Sequence, residues 1–308
     1  MPTHRGERWI GDTLESLSTQ SERGFECVVI DSSPDSGTRD LIARYAEAPH
    51  GLDLKFHIRP DLEHWRSKTN FGFQVARAPF VSMLHQDDFW LPDRAAHLRR
   101  WLQERPDAVM HLHPSHIVDA NSKRLGTWRA PLPTGPVPSD LLIERLLVQN
   151  FISVPAQAIR RDAYLAVGGL DESLWYTGDW DLYLKLARAG QFVYHPDVLS
   201  CFRIHGQSLT VSGSKSADDF AQQLRGVLAA HEDAVRPERR QAVLRRARAS
   251  NQVNVALAAA NQGDWQDAAR AVGAVLQLGP RDAAAYLRDS RIVERVWPRL
   301  KARLAKTL

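Results

Sequence analysis

The sequence predicts an α/β protein, a mostly parallel sheet flanked by helices, giving way to an all-helical C-terminal region. Three observations carry that reading. Over roughly the first 120 residues, short apolar runs of strand character alternate with helix-patterned segments, the signature of parallel strands joined by crossovers. Acidic residues stand just beyond two of those runs, Asp31 after "FECVVI" and Asp87–Asp88 after "FVSML". From about Lys215 the composition shifts to Ala, Arg, Gln and Leu, and strand signals vanish.

"FECVVI" (25–30) is a strand ending in Asp31, followed by the loop "SSPDSG" and the helical "TRDLIARYAEA". "LDLKFHI" (52–58) is a second strand, and "SKTNFGFQVARA" reads as a helix feeding a third, "FVSML" (80–84). "LPDRAAHLRRWLQERP" is an amphipathic helix with Pro92 in its first turn and Pro106 at its end. "AVMHLHPSHIVDANSKRLGTW" (108–128) reads as strand, turn, strand, so the sheet becomes mixed past the midpoint. "APLPTGPVPSD" (130–140), with four prolines, is a loop by composition. A helix "DLLIERLLVQN", a strand-like "VPAQAI" and a helix "DWDLYLKLARAG" (179–190) follow, the last stopped by Gly190. "FVYHPDVLSCFRIH" is extended.

The boundary is placed at 214/215, with residues 1–214 as the α/β domain and 215–308 as a helical region. Within the latter, "NQGDWQDAARAVGAVLQLGPRD" (261–282) has the spacing of one tetratricopeptide-type hairpin, placed at about 251–280. Gly263 would allow its turn, Ala268 and Ala269 a close helix contact, and Pro280 the stop. A single copy cannot build a solenoid, so an accessory cap is expected rather than a peptide-binding array.

At 308 residues, 44% hydrophobic and 25% charged, the chain is an ordinary globular protein of about two domains. A net charge of +4 is too small to argue for nucleic acid. Cys27 and Cys201, the only cysteines, give neither a disulfide framework nor a cysteine-type zinc site, which suits a reducing cytoplasm. No apolar run reaches the 18 or so residues that span a bilayer, and no leader pattern opens the chain. The expectation is a cytoplasmic protein, attached at most to the inner membrane face. The basic "RIVERVWPRLKARLAKTL" (291–308), with Val, Trp and Leu interspersed, is the segment for such contact; docking on its own domain is the alternative.

In an open parallel sheet, ligands bind at the carboxyl ends of the strands. If their strands share a sheet, Asp31, Asp87 and Asp88 face one crevice. A divalent cation would offset the repulsion of the adjacent acids; capping of the helix after Pro92 is the plainer explanation. Asp179 opens a helix, where the dipole favours an ionised carboxylate, and can be a base or a cap. Asp181 is turned to another face and reads as structural. Trp90 and Trp180 read as packing beneath a site, and Gly168–Gly169 as either a close-approach loop or a helix end.

Asp31 with "SSPDSGT" after it, "FVSMLHQDDFWLPD", "VGGLDESLWYTGDWDLYLKLARAG" and "VLSCFRIHGQSLT" occur in the order found in family 2 glycosyltransferases of the GT-A fold, which residues 1–212 or so resemble. The resemblance implies inverting transfer of a sugar from a nucleoside diphosphate donor to a saccharide or lipid-linked acceptor hydroxyl. By position it implies Asp179 as catalytic base and Asp31, Asp88 and Arg203 as donor-binding residues. It makes Asp87, His205 and His85 metal ligands, for Mn²⁺ or Mg²⁺. His205 as a bystander stays open. A bacterial surface polysaccharide or glycolipid would be the product.

The sequence departs from that pattern in three places. His85 replaces the usual acid of the metal motif, and imidazole suits Mn²⁺ better than Mg²⁺, so metal dependence itself is open. Gly178 replaces the first acid of the usual dyad. The family's first strand is missing before "MPTHRG", so the start is expected upstream of Met1. These departures keep alive a catalytically inactive nucleotide-sugar binder or scaffold. A nucleotidyltransferase lacks its Gly-rich, lysine-bearing phosphate loop.

Overall fold

The computed structural model describes residues 1–47, 52–207, 217–261, 266–305 and 307. Its N-terminal sheet is wholly parallel. β1 (Pro2–Thr3) pairs with β2 (Glu26–Asp31), Pro2 opposite Ile30, and β2 pairs along its whole length with β3 (Asp53–Ile58). The crossovers are α1 (Ile10–Ser18) and α2 (Gly37–Glu47), which bury Ile10, Leu14, Leu17 and Ile42 against Val29. After β3, α3 (Trp65–Val75) lies on β2, with Gly72 bringing its backbone close to Ile30.

The second sheet has the order β4–β10–β6–β11–β9. Its strands are β4 (Phe80–Val81), β6 (Met110–Leu112), β9 (Gly135–Val137), β10 (Gln157–Arg160) and β11 (Phe192–Tyr194). β10 runs antiparallel to β4 and β6, and β11 parallel to β6, so the sheet is mixed as expected. The third sheet, β5–β12–β7–β8, joins β5 (Phe89–Trp90), β12 (Ser200–Arg203), β7 (Ser115–Val118) and β8 (Arg124–Trp128). Helices α4 (Arg94–Glu104), α5 (Ser139–Val148), α6 (Arg161–Ala166) and α7 (Gly178–Ala189) complete this part. α8 (Ala217–His231), α9 (Pro237–Asn261), α10 (Gln266–Leu276), α11 (Gly279–Ser290) and α12 (Ile292–Leu304) follow.

Several expectations are corrected. The strand thought missing is present as β1, two residues long, in parallel register with β2. "FVSML" pairs only at Phe80 and Val81, because beyond them the chain leaves the sheet toward the acids. Pro92 precedes α4 rather than lying in it. The proline-rich 130–140 segment contains β9, whose Pro136 is tolerated because β9 is an edge strand. "VPAQAI" starts as a 3₁₀ turn before β10. Pro280 opens α11, where a missing N–H costs nothing, instead of stopping α10. Ala269 is exposed and Ala271 is the buried alanine of α10; Gly263 lies outside the described residues.

The core crosses residue 215 without a break. Leu224, Val227 and Leu228 of α8, Val243, Leu244 and Ala247 of α9, and Tyr286 of α11 pack with Leu146, Phe151, Tyr183 and Leu186 in one cluster. Asp181 adds a polar tie, its carboxylate 2.8 Å from His231 Nε2 of α8 and 2.9 Å from Lys185. Gly190 ends α7 with an extended backbone, and a Cβ there would run into Cγ2 of buried Val109. Gly190→Ala should therefore lower urea-unfolding stability by about 1–3 kcal/mol through overpacking. Gly226→Ala, exposed in α8 with open space around it, should raise stability by roughly 0.5–1 kcal/mol.

Candidate active site

The segment between β4 and β5 carries His85, Gln86, Asp87 and Asp88, and the fold ties it down from several directions. From α1, Thr13 Oγ1 lies 2.8 Å from the carbonyls of both Gln86 and Asp88. Gln86 grips the N-terminal backbone, its Oε1 accepting His4 N–H at 2.8 Å and its Nε2 donating to His4 O at 3.1 Å. From β12, Arg203 N–H donates to Asp88 Oδ1 at 2.9 Å. Neither acid caps α4, since β5 intervenes and the residue before α4 is Asp93.

Arg203 itself is 1% exposed, and each nitrogen of its guanidinium donates to a protein oxygen. Nε donates to Asp87 O at 2.7 Å, Nη1 to Ser122 Oγ at 2.8 Å, and Nη2 to Asp12 Oδ2 at 3.0 Å. It clamps the acidic loop rather than reaching outward. His205, two residues on, places Nε2 2.9 Å from Asp87 Oδ2, and its ring packs on Trp9 at a centroid distance of 3.9 Å.

His85, Asp87 and Asp88 each offer one ligand atom, all within 4.8 Å of one another. His85 Nε2 and Asp88 Oδ2 are buried and have no hydrogen-bond partner, the condition a bound cation relieves. Burial lowers the pKa of His85, keeping the imidazole neutral and able to ligate. Burial, and then the neighbouring Asp87 charge, push Asp88 well above the usual carboxylate range. Asp87 goes the other way: burial opposes it, but the His205 hydrogen bond holds it below its ordinary value. One imidazole and two carboxylates suit Mn²⁺ better than Mg²⁺.

Asp31, at the end of β2, is wholly buried. Its Oδ1 accepts from Thr3 Oγ1 at 2.9 Å and Ser33 Oγ at 2.7 Å, while Arg39 Nε stands 3.3 Å from Oδ2. Lys68 of α3 lies beneath, donating to Thr3 O at 2.7 Å; burial lowers its pKa to about 8.

Asp179 lies in the first turn of α7, where its Oδ1 accepts Trp180 N–H at 2.8 Å; the residue preceding the helix is Thr177. Its Oδ2 accepts from Asn150 Nδ2 at 3.1 Å. Burial pushes its pKa up to about 6, with the Trp180 and Asn150 hydrogen bonds opposing. Trp180 is buried, its indole donating to Leu146 O at 2.7 Å. Gly168 and Gly169 form the end of α6 with positive φ.

The first turn of α3 bridges the acidic loop and Asp179. Trp65 meets His85 edge-on at 5.4 Å. Next to it, Arg66 donates to Glu172 O at 3.1 Å and Trp175 O at 2.9 Å, in the segment that leads into α7. A Cβ at Gly178 would come within 3.2 Å of Arg66 Cδ, so the glycine that departs from the family pattern makes room for this bridge. Thr13, Arg66, Lys68 and Asn150 carry no local motif. Their only sequence signal is a polar side chain on an otherwise apolar helix face or beside a strand end.

A model described as Glycosyl transferase family 2 matches residues 1–167. An uncharacterized glycosyltransferase of Haemophilus influenzae is 24% identical over 194 residues, 62% of this chain and 62% of its own length. The putative teichuronic acid biosynthesis glycosyltransferase TuaG of Bacillus subtilis is 26% identical over 106 residues, 34% of this chain and 40% of its own. Among solved structures, S. aureus TarS 1–349 in complex with UDP-GlcNAc aligns with a TM-score of 0.69 at 18% identity. The alignment covers 96% of this chain and 86% of that one. The mannosyltransferase PcManGT from Pyrobaculum calidifontis, in complex with GDP-Man and Mn²⁺, gives 0.59 at 19% identity, covering 95% and 85%. At such identities the structural likeness establishes the mixed α/β GT-A-like fold.

Mn²⁺ should raise the thermal midpoint of the protein more than Mg²⁺ at equal concentration, and His85→Ala should remove that preference. Equal shifts for both ions in wild type and variant would place the ions elsewhere.

Proposed function

The chain belongs to glycosyl transferase family 2, and from that membership we propose that it transfers a sugar from a nucleoside diphosphate donor to an acceptor hydroxyl with inversion at the anomeric carbon. The observation that carries the reading is the pairing of two unlike carboxylate settings. One is the His85–Asp87–Asp88 set with orphaned buried ligand atoms; the other is Asp179, poised near pH 6 across the first turn of α3. In this reading the donor's diphosphate lies against the former, and Asp31 shapes the nucleotide side through the loop that follows β2. Arg203 and His205 hold Asp87 in place, with His205 near enough to share a cation. The acceptor in this reading is a saccharide or lipid-linked hydroxyl of the bacterial surface, a class favoured by the likeness to a putative teichuronic acid biosynthesis glycosyltransferase.

Asp179 accepts the acceptor's hydroxyl proton while that oxygen attacks the anomeric carbon and the carbon–oxygen bond to the diphosphate breaks. A divalent cation held by His85, Asp87 and Asp88 would supply charge stabilisation for the departing diphosphate. The proton balance sets the pH dependence. Below about pH 6 Asp179 is protonated and cannot accept; above it the carboxylate is free to do so. Because its folded pKa is raised, ionising Asp179 weakens the fold as pH climbs from the unfolded carboxylate range through 6.

Asp179→Asn should therefore cut transfer from nucleoside diphosphate sugars by about 10²–10⁴-fold. Its thermal midpoint at pH 7 should be no lower than that of wild type. The activity should be measured as nucleoside diphosphate release over a donor panel with Mn²⁺. Donor binding without turnover in the wild type would instead mark a catalytically silent nucleotide-sugar binder.

A place at the inner membrane face is supported by α12. Val293, Trp297, Leu300 and Leu304 are its exposed apolar residues, and at about 100° per residue they fall in one stripe roughly 60° wide. Exposed Lys301 and Arg303 flank the stripe on either side, and buried Pro298 and Ala302 hold the opposite face on β8. That is the build of a helix lying on an anionic lipid surface. No helix among the described residues is long and apolar enough to cross a membrane. Co-sedimentation with vesicles containing phosphatidylglycerol should be lost on pure phosphatidylcholine and reduced at least tenfold by Trp297→Glu/Leu300→Glu. Unchanged binding would remove α12 as the contact, and dimers broken by the same variant would assign the stripe to a second copy.

A further inference from the structure

The helical region beyond residue 215 is wired to Asp179 by a chain of hydrogen bonds that passes once through the backbone, at Asn150. Arg295 of α12 donates from Nη2 to Asn254 Oδ1 at 3.2 Å. Asn254 of α9 donates from Nδ2 to Gln149 Oε1 at 3.0 Å, and Ser250 Oγ supports the same oxygen at 3.0 Å. Gln149 Nε2 donates to Asn150 O at 3.2 Å, and Asn150 Nδ2 donates to Asp179 Oδ2 at 3.1 Å. Asn150 Oδ1 is held by Ile152 N–H at 3.1 Å.

The two ends dictate every amide orientation between them. A guanidinium can only donate, so Asn254 must turn its oxygen to Arg295 and its nitrogen onward; Gln149 must do the same. An ionised carboxylate can only accept, so Asn150 must present its nitrogen to Asp179. All donors therefore point one way, from a cation toward an anion; between Arg295 and the Asn150 carbonyl successive bonds polarise one another, and across Asn150, whose carbonyl and side-chain amide are separate groups, the coupling is positional. Among the described residues no carboxylate pairs with Arg295, and its Nε and Nη1 are buried without partners. Burial lowers its pKa to about 10, with the like charge of Arg299 adding to the effect. Tyr176 and Tyr183 also stand beside Asp179; burial raises both phenols, so neither titrates in its range.

We propose that Asn150, Gln149, Asn254 and Arg295 are positioning residues that orient Asp179 and set its proton affinity, so that the C-terminal helices complete the catalytic site rather than merely cap it. The proposal rests on Asp179 acting as the base, but its effect on the carboxylate is measurable without turnover. The Asn150 bond favours the charged form and lowers the pKa, so displacing that amide, directly or by removing what holds it, must raise it.

The test is a ¹³C-carboxyl NMR titration of Asp179 in the full-length protein, assigned with Asp179→Asn, together with pH profiles of kcat/KM. Asn150→Leu should move the Asp179 titration upward from about 6 by about one pH unit, and the acidic limb of kcat/KM with it. Asn254→Leu, which keeps the Arg295 charge but severs the chain, should give a smaller shift in the same direction. Arg295→Met should resemble it, and Arg295→Lys should restore wild-type behaviour. Should Asn150→Leu fail to fold, Asn254→Leu and Arg295→Met decide. A wild-type titration in Asn254→Leu, or loss of kcat equal at every pH, overturns the proposal. A shifted titration in a protein that transfers no sugar supports the relay and removes the transferase reading alone.

Discussion

Two carboxylates side by side in a half-buried loop are the constraint around which this molecule is arranged. Their ligand atoms lie within 4.8 Å of each other, and two charges at such a separation repel by roughly 3 kcal/mol at an effective dielectric near 20, a large term in a marginally stable protein. The fold divides the burden unequally. His205 favours the charge on Asp87, while Asp88 is buried deeper and its carboxyl pushed well above the usual range, with one oxygen on Arg203 N–H and the other orphaned. The neutral imidazole of His85 offers its ligand atom to the same cluster.

Holding such a loop requires contacts from far along the chain. Thr13, Arg203 and His205 reach it from separations of 75, 115 and 118 residues. Arg203 is the clearest example of how context assigns a role. A guanidinium beside a diphosphate site invites a phosphate contact, but here all of its reach is consumed by Asp87, Ser122 and Asp12. The same logic governs the surroundings of Asp179, where α3 links the acidic loop to the segment leading into α7, and where α9 and α12 stand behind Asn150.

Much of this was legible in the sequence, for identifiable reasons. Strand–acid junctions such as "FECVVID" mark themselves, because an abrupt change from apolar to acidic side chains stands out at a strand's carboxyl end, and four weak motifs in order pointed to the family. The positions of Asp31, Asp87, Asp88, Asp179 and His205 came from that order. Strand lengths did not, since pairing ends where a loop is pulled elsewhere, as beyond Val81. β1 went unseen because two residues carry no periodicity. Asn150, Lys68 and Asn254 were invisible for a deeper reason: an amide or ammonium acquires meaning only from the partner that tertiary structure supplies. Gly178 read as a lost acid; in the fold it is the gap through which Arg66 passes.

The central claim is that His85, Asp87 and Asp88 form a cation site serving a diphosphate within reach of Asp179. Anomalous diffraction at the manganese edge, from crystals soaked with Mn²⁺ and UDP, tests it most directly. One strong peak bounded by His85 Nε2 and the Asp87 and Asp88 carboxylates is expected, with diphosphate density between it and Asp179. Manganese bound only at other residues, or nucleotide density on a face away from Asp179, would contradict it.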